Sequence, residues 1–134
     1  KIMKKYDVSS CTDITGFGLL GHSLESVNEL TSFSIQCSEV PIIQEAIGLS
    51  DDNVIPGGTK KNMKYMEEKV TYMSNLSHYC KALLCDAQTS GGLLIAMDPA
   101  DAKEYVKEIQ DLSFGYASII GEVIPKGAKD IIVH

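Results

Sequence analysis

Apolar residues recur at helical spacing over residues 15–30, where Leu19, Leu20, Leu24, Val27 and Leu30 fall on one side and Ser23, Glu25, Ser26 and Glu29 on the other. The pattern predicts a first helix, with Thr15 as the capping hydroxyl at its start. Phe33-Ser34-Ile35-Gln36-Cys37 alternates in the manner of a half-buried strand. Pro41 opens a short helix over 42–49, because proline is tolerated at the first helical position. Residues 50–62 read as a loop, since Pro56-Gly57-Gly58 interrupts regular structure. Residues 63–73 suit helix and strand equally. Leu83-Leu84-Cys85 and the run 93–97 are apolar segments on either side of DAQTSGG, the second of them a strand. Asp98-Pro99 starts a helix reaching about residue 110, with Ala102, Tyr105, Val106 and Ile109 inward. Residues 116–124 are β-rich and punctuated by Gly121, and 131–133 form a last short strand. Helices and strands interleave without an internal repeat, which predicts an α/β or α+β sandwich of one sheet and several helices.

Composition narrows this picture. At 134 residues and 14.6 kDa the chain is a single domain over 1–134. Its 44% hydrophobic and 22% charged content is that of a soluble globular domain. No apolar run approaches the roughly 18 residues of a membrane span, so no membrane partner is expected. Eighteen acidic residues oppose twelve basic ones, all of them Lys, for a net charge of −6. The Lys pairs Lys4-Lys5 and Lys60-Lys61 are short and separated, so nucleic acid is not expected as a partner either. Without Arg there is no planar fork to grip phosphate at two points. Any phosphate contact has to come from Lys, backbone N–H groups or a metal ion.

Cys11, Cys37, Cys80 and Cys85 form no C-x-x-C pair, and with His22, His78 and His134 they complete no zinc spacing. No leader pattern is legible, and free thiols in a reducing cytoplasm are the expectation. The chain opens on Lys rather than Met, which reads as a piece of a longer protein whose remaining catalytic groups lie upstream.

The densest chemical signal is CTDITGFGLLGH, residues 11–22. Gly16, Gly18 and Gly21 spell G-x-G-x-x-G, but the preceding YDVSSCTD is too polar for the buried parallel strand of a dinucleotide fold. A glycine-rich lead into a helix instead offers free N–H groups to an anion. Asp13, just ahead of that turn, suits two roles: a carboxylate holding Mg²⁺ against phosphate, or an ordinary cap of the helix start. In DAQTSGG the hydroxyls of Thr89 and Ser90 beside Gly91 and Gly92 permit close approach of a ligand, and equally make a plain tight turn. No Ser sits in a G-x-S-x-G elbow. Cys11 has no identifiable partner base, and His22 reads as a hydrogen-bonded packing residue.

TDITGFGLLGH, IPGGTKKN and DAQTSGGLLIAM, in this order and across the whole chain, resemble the C-terminal half of the selenophosphate synthetase (selenide, water dikinase) family. The resemblance implies an α+β fold like the C-terminal domain of aminoimidazole ribonucleotide synthetase, a sheet with flanking helices and a partly ferredoxin-like topology. It implies an intact cytoplasmic enzyme that makes selenophosphate from selenide, ATP and water, releasing AMP and phosphate. In that family the Asp of the first block joins N-terminal-domain aspartates around Mg²⁺, which points to Asp13. The reactive Cys or selenocysteine, its Lys and most ATP contacts belong to the N-terminal domain, so no catalytic residue is expected in this chain. Thr15, Gly16, Gly18, Thr89, Ser90, Gly91 and Gly92 would line the phosphate approach. The implied partners are ATP, selenide, the chain's own N-terminal domain and a second copy of the full-length protein, with the fragment alone inactive. Alternatives are a domain of a related ATP-dependent purine-biosynthesis synthetase, or a non-catalytic ligand-binding or assembly module. Two positions depart from the family pattern: Ala87 stands where Pro is expected, and Lys61 where Arg is common.

Overall fold

A computed structural model describes residues 2–112 and 115–134. Its strands divide between two sheets rather than the one expected. β1 (Val8–Asp13) pairs antiparallel with β4 (Leu93–Met97) as a ribbon. β2 (Thr31–Ile35), β3 (Val70–Tyr72), β5 (Gly121–Pro125) and β6 (Ile131–Val133) form a mixed sheet in the order β3-β6-β2-β5. Among the described residues five α-helices accompany them: α1 (Gly18–Ser23), α2 (Gln44–Asp51), α3 (Gly57–Met66), α4 (Tyr79–Leu83) and α5 (Pro99–Asp111). The α+β class stands.

The core is built on the four-stranded sheet. Phe33 and Ile35 of β2, Val70 of β3 and Ile131 and Val133 of β6 pack with Leu20 of α1, Met66 of α3 and Leu84. β2 is covered on both faces, so Ser32 and Ser34 are buried along with Phe33 and Ile35, and the expected half-buried alternation does not hold. The hydroxyl of Ser32 is satisfied there, donating to the Lys129 carbonyl at 2.8 Å and accepting from the Gly127 N–H at 3.1 Å.

Several element bounds differ from the pattern reading, each for a local reason. The helix expected over 15–30 is α1 alone, followed by a 3₁₀ turn at Leu24–Ser26. Ser23 bonds back to the Leu19 carbonyl at 2.7 Å, and Asn28 folds the chain by accepting from the Leu30 N–H at 2.8 Å. Leu30 is consequently 78% exposed. Thr15 caps nothing, the N-cap position being Phe17. Gln36 and Cys37 leave the strand for a 3₁₀ turn. The segment 50–62 is not all loop: Pro56, at φ −59°, is the N-cap of α3, and Gly57 and Gly58 occupy its first turn, where helix N–H groups are unpaired anyway. Residues 63–73 are both things in succession, the end of α3 and then β3. Leu83-Leu84-Cys85 closes a short helix. α5 follows its sequence signal, with the Asp98 carboxylate accepting from the Ala100 N–H at 2.9 Å.

The four cysteines are not all free thiols. Cys37 and Cys80 form a disulfide, with Cα atoms 6.3 Å apart, that ties the turn after β2 to α4; Cys11 and Cys85 stay free. Among the described residues no helix is long and apolar enough to cross a membrane.

Candidate functional site

The register of the β1–β4 ribbon assembles the site. Asp13 pairs with Leu93 at one end of the ribbon, and beyond that point the two chains run on as facing loops. The Ile14 N–H donates to the Gly92 carbonyl, the Gly91 N–H to the Ile14 carbonyl and the Gln88 N–H to the Thr15 carbonyl, each at 2.9 Å. Two blocks separated by some seventy positions are thereby laced together through their backbones. Between them lies a pocket of about 220 Å³, lined by residues 13–15 on one side and 89–93 on the other.

Glycine is required where these loops touch. A Cβ on Gly91 would stand 2.8 Å from the Ile14 carbonyl oxygen. Gly18 has φ +69°, and a Cβ there would come within 2.6 Å of the Cys85 carbonyl carbon. Gly16 is different, with nothing within 4 Å of its would-be Cβ.

The middle block braces both loops from behind. Thr59, in the first turn of α3 and 1% exposed, donates to the Asp86 carboxylate. The Asn62 amide donates to the Gly16 carbonyl at 2.9 Å and to the Cys85 carbonyl at 3.0 Å. This role for residues 57–62 escapes a linear reading, because both carbonyls it serves are backbone groups that leave no trace in residue type. Lys61 is exposed on the other side of α3.

The predicted site residues separate into those the pocket gathers and those it does not. Asp13, Thr15, Thr89, Ser90, Gly91 and Gly92 line it; Gly16 and Gly18 do not. The helix start offers no row of free donors to an anion. The Phe17 N–H donates to His22 Nε2 at 3.4 Å, the Gly18 N–H to the Thr15 carbonyl at 3.1 Å, and the Leu20 N–H to the Leu84 carbonyl at 3.0 Å. α1 is in any case only 6 residues long.

The two motif aspartates are in unlike positions. Asp86 is engaged by Thr59 and, at 3.4 Å, by the Gln88 side chain. Asp13 is exposed on the pocket wall and, among the described residues, takes part in none of the ion pairs. No three His, Cys, Asp or Glu among the described residues are grouped to hold a metal ion. Asp13 therefore fits a metal as one ligand of a shared set and not as a site of its own. Cys85 is no candidate ligand, because burial pushes its thiol up to about 11.

His22 is buried and hydrogen-bonded, as expected. It is 7% exposed and joins the Thr15 hydroxyl, at 3.0 Å, to the Glu25 carboxylate, at 2.9 Å. Hydrogen bonds from Thr12 and His22 hold the Glu25 carboxyl below its usual range. A larger, more open groove of about 580 Å³, walled by Tyr65, Lys69, Lys126 and Asp130 among others, holds none of the motif residues. Of the two, the smaller pocket is the better site, since it collects residues from both glycine-rich blocks.

The family profile described as AIR synthase related protein, C-terminal domain, matches residues 1–134. The chain belongs to this family. Among its relatives, a selenide, water dikinase of Aliarcobacter butzleri is 60% identical over 134 residues, covering 100% of this chain and 39% of the relative. One of Clostridioides difficile is 45% identical over 131 residues, covering 97% of this chain and 38% of the relative. One of Campylobacter jejuni is 38% identical over 133 residues, covering 99% and 38%. This AIR synthase related domain thus spans about two fifths of the length of the relatives it matches.

Proposed function

We propose that this domain supplies one wall of the active site of a selenide, water dikinase, whose intact form makes selenophosphate from selenide, ATP and water and releases AMP and phosphate. The observation that carries this reading is the pocket in which Asp13, outside every ion pair among the described residues, faces the Thr89–Ser90–Gly91–Gly92 strip. The shared name of relatives up to 60% identical supports it.

In this reading the domain's part is positioning. Asp13 serves as one of several carboxylates around Mg²⁺, the others coming from an N-terminal domain of the same parent chain. When bound, the ion neutralises phosphate charge as it develops during transfer. Thr89 and Ser90 face the phosphates with hydroxyl donors, and the braced glycine turn keeps the wall rigid while they do so. The reactive Cys or selenocysteine and its Lys belong to the N-terminal domain. The domain by itself binds Mg-ATP weakly and turns nothing over. We infer a homodimer for the full-length protein and a cytoplasmic location, where the Cys37–Cys80 pair is shielded from reductant by its burial (3% and 2% exposed).

Asp13→Asn in the full-length protein tests this. Selenide-dependent AMP formation is expected to fall by at least about 100-fold, roughly 2.7 kcal/mol of barrier, with the melting temperature unchanged. Near-normal AMP formation by that variant defeats the assignment.

A further inference from the structure

Thr15 lines the pocket beside Asp13, yet its hydroxyl is tied into a chain that runs away from it. Thr15 Oγ1 is 3.0 Å from His22 Nε2, His22 Nδ1 is 2.9 Å from Glu25 Oε1, and the Thr12 hydroxyl donates to Glu25 Oε2 at 2.6 Å. The chemistry at the ends fixes the direction of every bond. A backbone N–H only donates, and that of Phe17 is directed at Nε2 over 3.4 Å. An ionised carboxylate only accepts, so Glu25 takes a hydrogen from Nδ1. Nδ1 therefore carries the ring hydrogen and Nε2 the lone pair. Thr15 has to give its single hydrogen to Nε2, and its oxygen keeps only lone pairs for the pocket.

We propose that His22, oriented by Glu25, is a positioning residue that makes the Thr15 hydroxyl a hydrogen-bond acceptor, so that the Asp13 and Thr15 side chains present only negative charge and oxygen lone pairs. Such a wall receives a cation, a cation-bound water or an O–H or N–H donor of the substrate. It repels a phosphate oxygen, which leaves phosphate to the opposite Thr89–Ser90 strip. The pocket is polarised, and His22 sets its polarity. Hydroxyl, imidazole and carboxylate in this order also make up a hydrolase triad. That role does not fit, because the Phe17 N–H shares the lone pair a general base would need. The assignment of polarity stands on geometry alone; its catalytic consequence rests on the function proposed above.

The test has one arm without turnover and one with it. Long-range ¹⁵N–¹H correlation on the ¹⁵N-labelled protein reads the His22 tautomer directly, with Nδ1 expected protonated and Nε2 bare. In the full-length protein, His22→Asn keeps a group for Glu25 and abandons Thr15, whereas His22→Gln puts an acceptor oxygen where Nε2 was. His22→Asn and Thr15→Val are each expected to lower kcat about 10- to 100-fold. Their double variant should be no worse than either, and His22→Gln should recover most of the loss. A hydrogen on Nε2 overturns the proposal. So does an equal fall for His22→Asn and His22→Gln that follows their melting temperatures, since that is the mark of a packing residue. Wild-type protein that forms no AMP from ATP and selenide defeats the functional reading alone, because the tautomer is read without catalysis.

Discussion

In the four-stranded sheet, β2 is buried on both faces, and Phe33, Ile35, Val70, Ile131 and Val133 share one apolar core. In the β1–β4 ribbon alternate residues of β1 face outward, and no residue of α5, which packs against β4, is fully buried. A two-stranded ribbon has little stability of its own. What fixes its working end is backbone lacing between residues 13–15 and 88–92, glycines that allow that approach, and braces from Thr59, Asn62 and His22. The sheet is held by apolar burial, which tolerates substitution of like for like. The site is held by directional bonds to specific atoms, which does not. That contrast explains why the pocket's walls carry so few hydrophobic side chains and yet have one defined shape.

The comparison can be broken most forcefully on the core side. Reducing the Cys37–Cys80 disulfide, which spans 43 positions, releases chain entropy worth about 4 kcal/mol. Urea titrations with and without reductant should differ by an amount of that order. Alkylation of denatured, unreduced protein should label Cys11 and Cys85 only. Four labelled thiols would show that the core is held by packing alone.

On the site side the next largest effect is expected from Gly18→Ala. The substitution meets both a positive φ and the Cys85 backbone at 2.6 Å, and should cost roughly 2–4 kcal/mol of stability. Gly16→Ala, two positions away with open space around it, should cost less than about 1 kcal/mol. Equal costs would mean that the two loops are not in close contact. Below Gly18→Ala in size comes Asn62→Ala. It removes the donors to two carbonyls and should lower stability by about 1–3 kcal/mol, while Lys61→Ala on the same helix changes it little.

How far the sequence could be read follows the same division. α5 was legible because its signal is local: an Asp-Pro start and apolar residues at one period. Asp13 and the DAQTSGG turn stood out by residue type, although spacing alone left both open between site and plain structure. Their meeting was not legible, because it depends on the Asp13–Leu93 register across the ribbon. The first helix is shorter than its spacing predicts for a related reason. Leu24, Val27 and Leu30 keep helical spacing, but the Asn28 turn and the back-bond of Ser23 end the helix early. β2 was expected to alternate and is buried on both faces, since only the fold decides what lies on its second side. The bracing by Thr59 and Asn62 and the tautomer of His22 are contacts between distant segments, beyond any pattern within one of them.

The smallest effect is also the one that compares both ends of the ribbon in a single measurement. Glu25 at the site end is held below its ordinary value of 4.5, first by the Thr12 hydroxyl and then by His22. Glu108 on α5 is held below the same value, first by its hydrogen bond from Lys5 and then by that from Tyr6. A carboxyl lowered by folding is still ionised in the folded chain when the unfolded chain has already taken up a proton. Its contribution is whole above about pH 4.5 and is lost as pH falls through the lower folded value. Both side chains are substantially exposed, at 54% for Glu25 and 32% for Glu108, so solvent keeps each contribution small. Glu25→Gln and Glu108→Gln should each flatten the fall of stability below that pH in denaturant titrations. Only Glu25→Gln should also loosen the pocket, because an amide keeps a single acceptor oxygen where the carboxylate accepts from both Thr12 and His22. A Glu25→Gln variant with an unaltered acid slope and an unaltered His22 tautomer would show that this carboxylate is an idle surface group. The site end of the ribbon would then be held by its backbone lacing and the braces from Thr59 and Asn62.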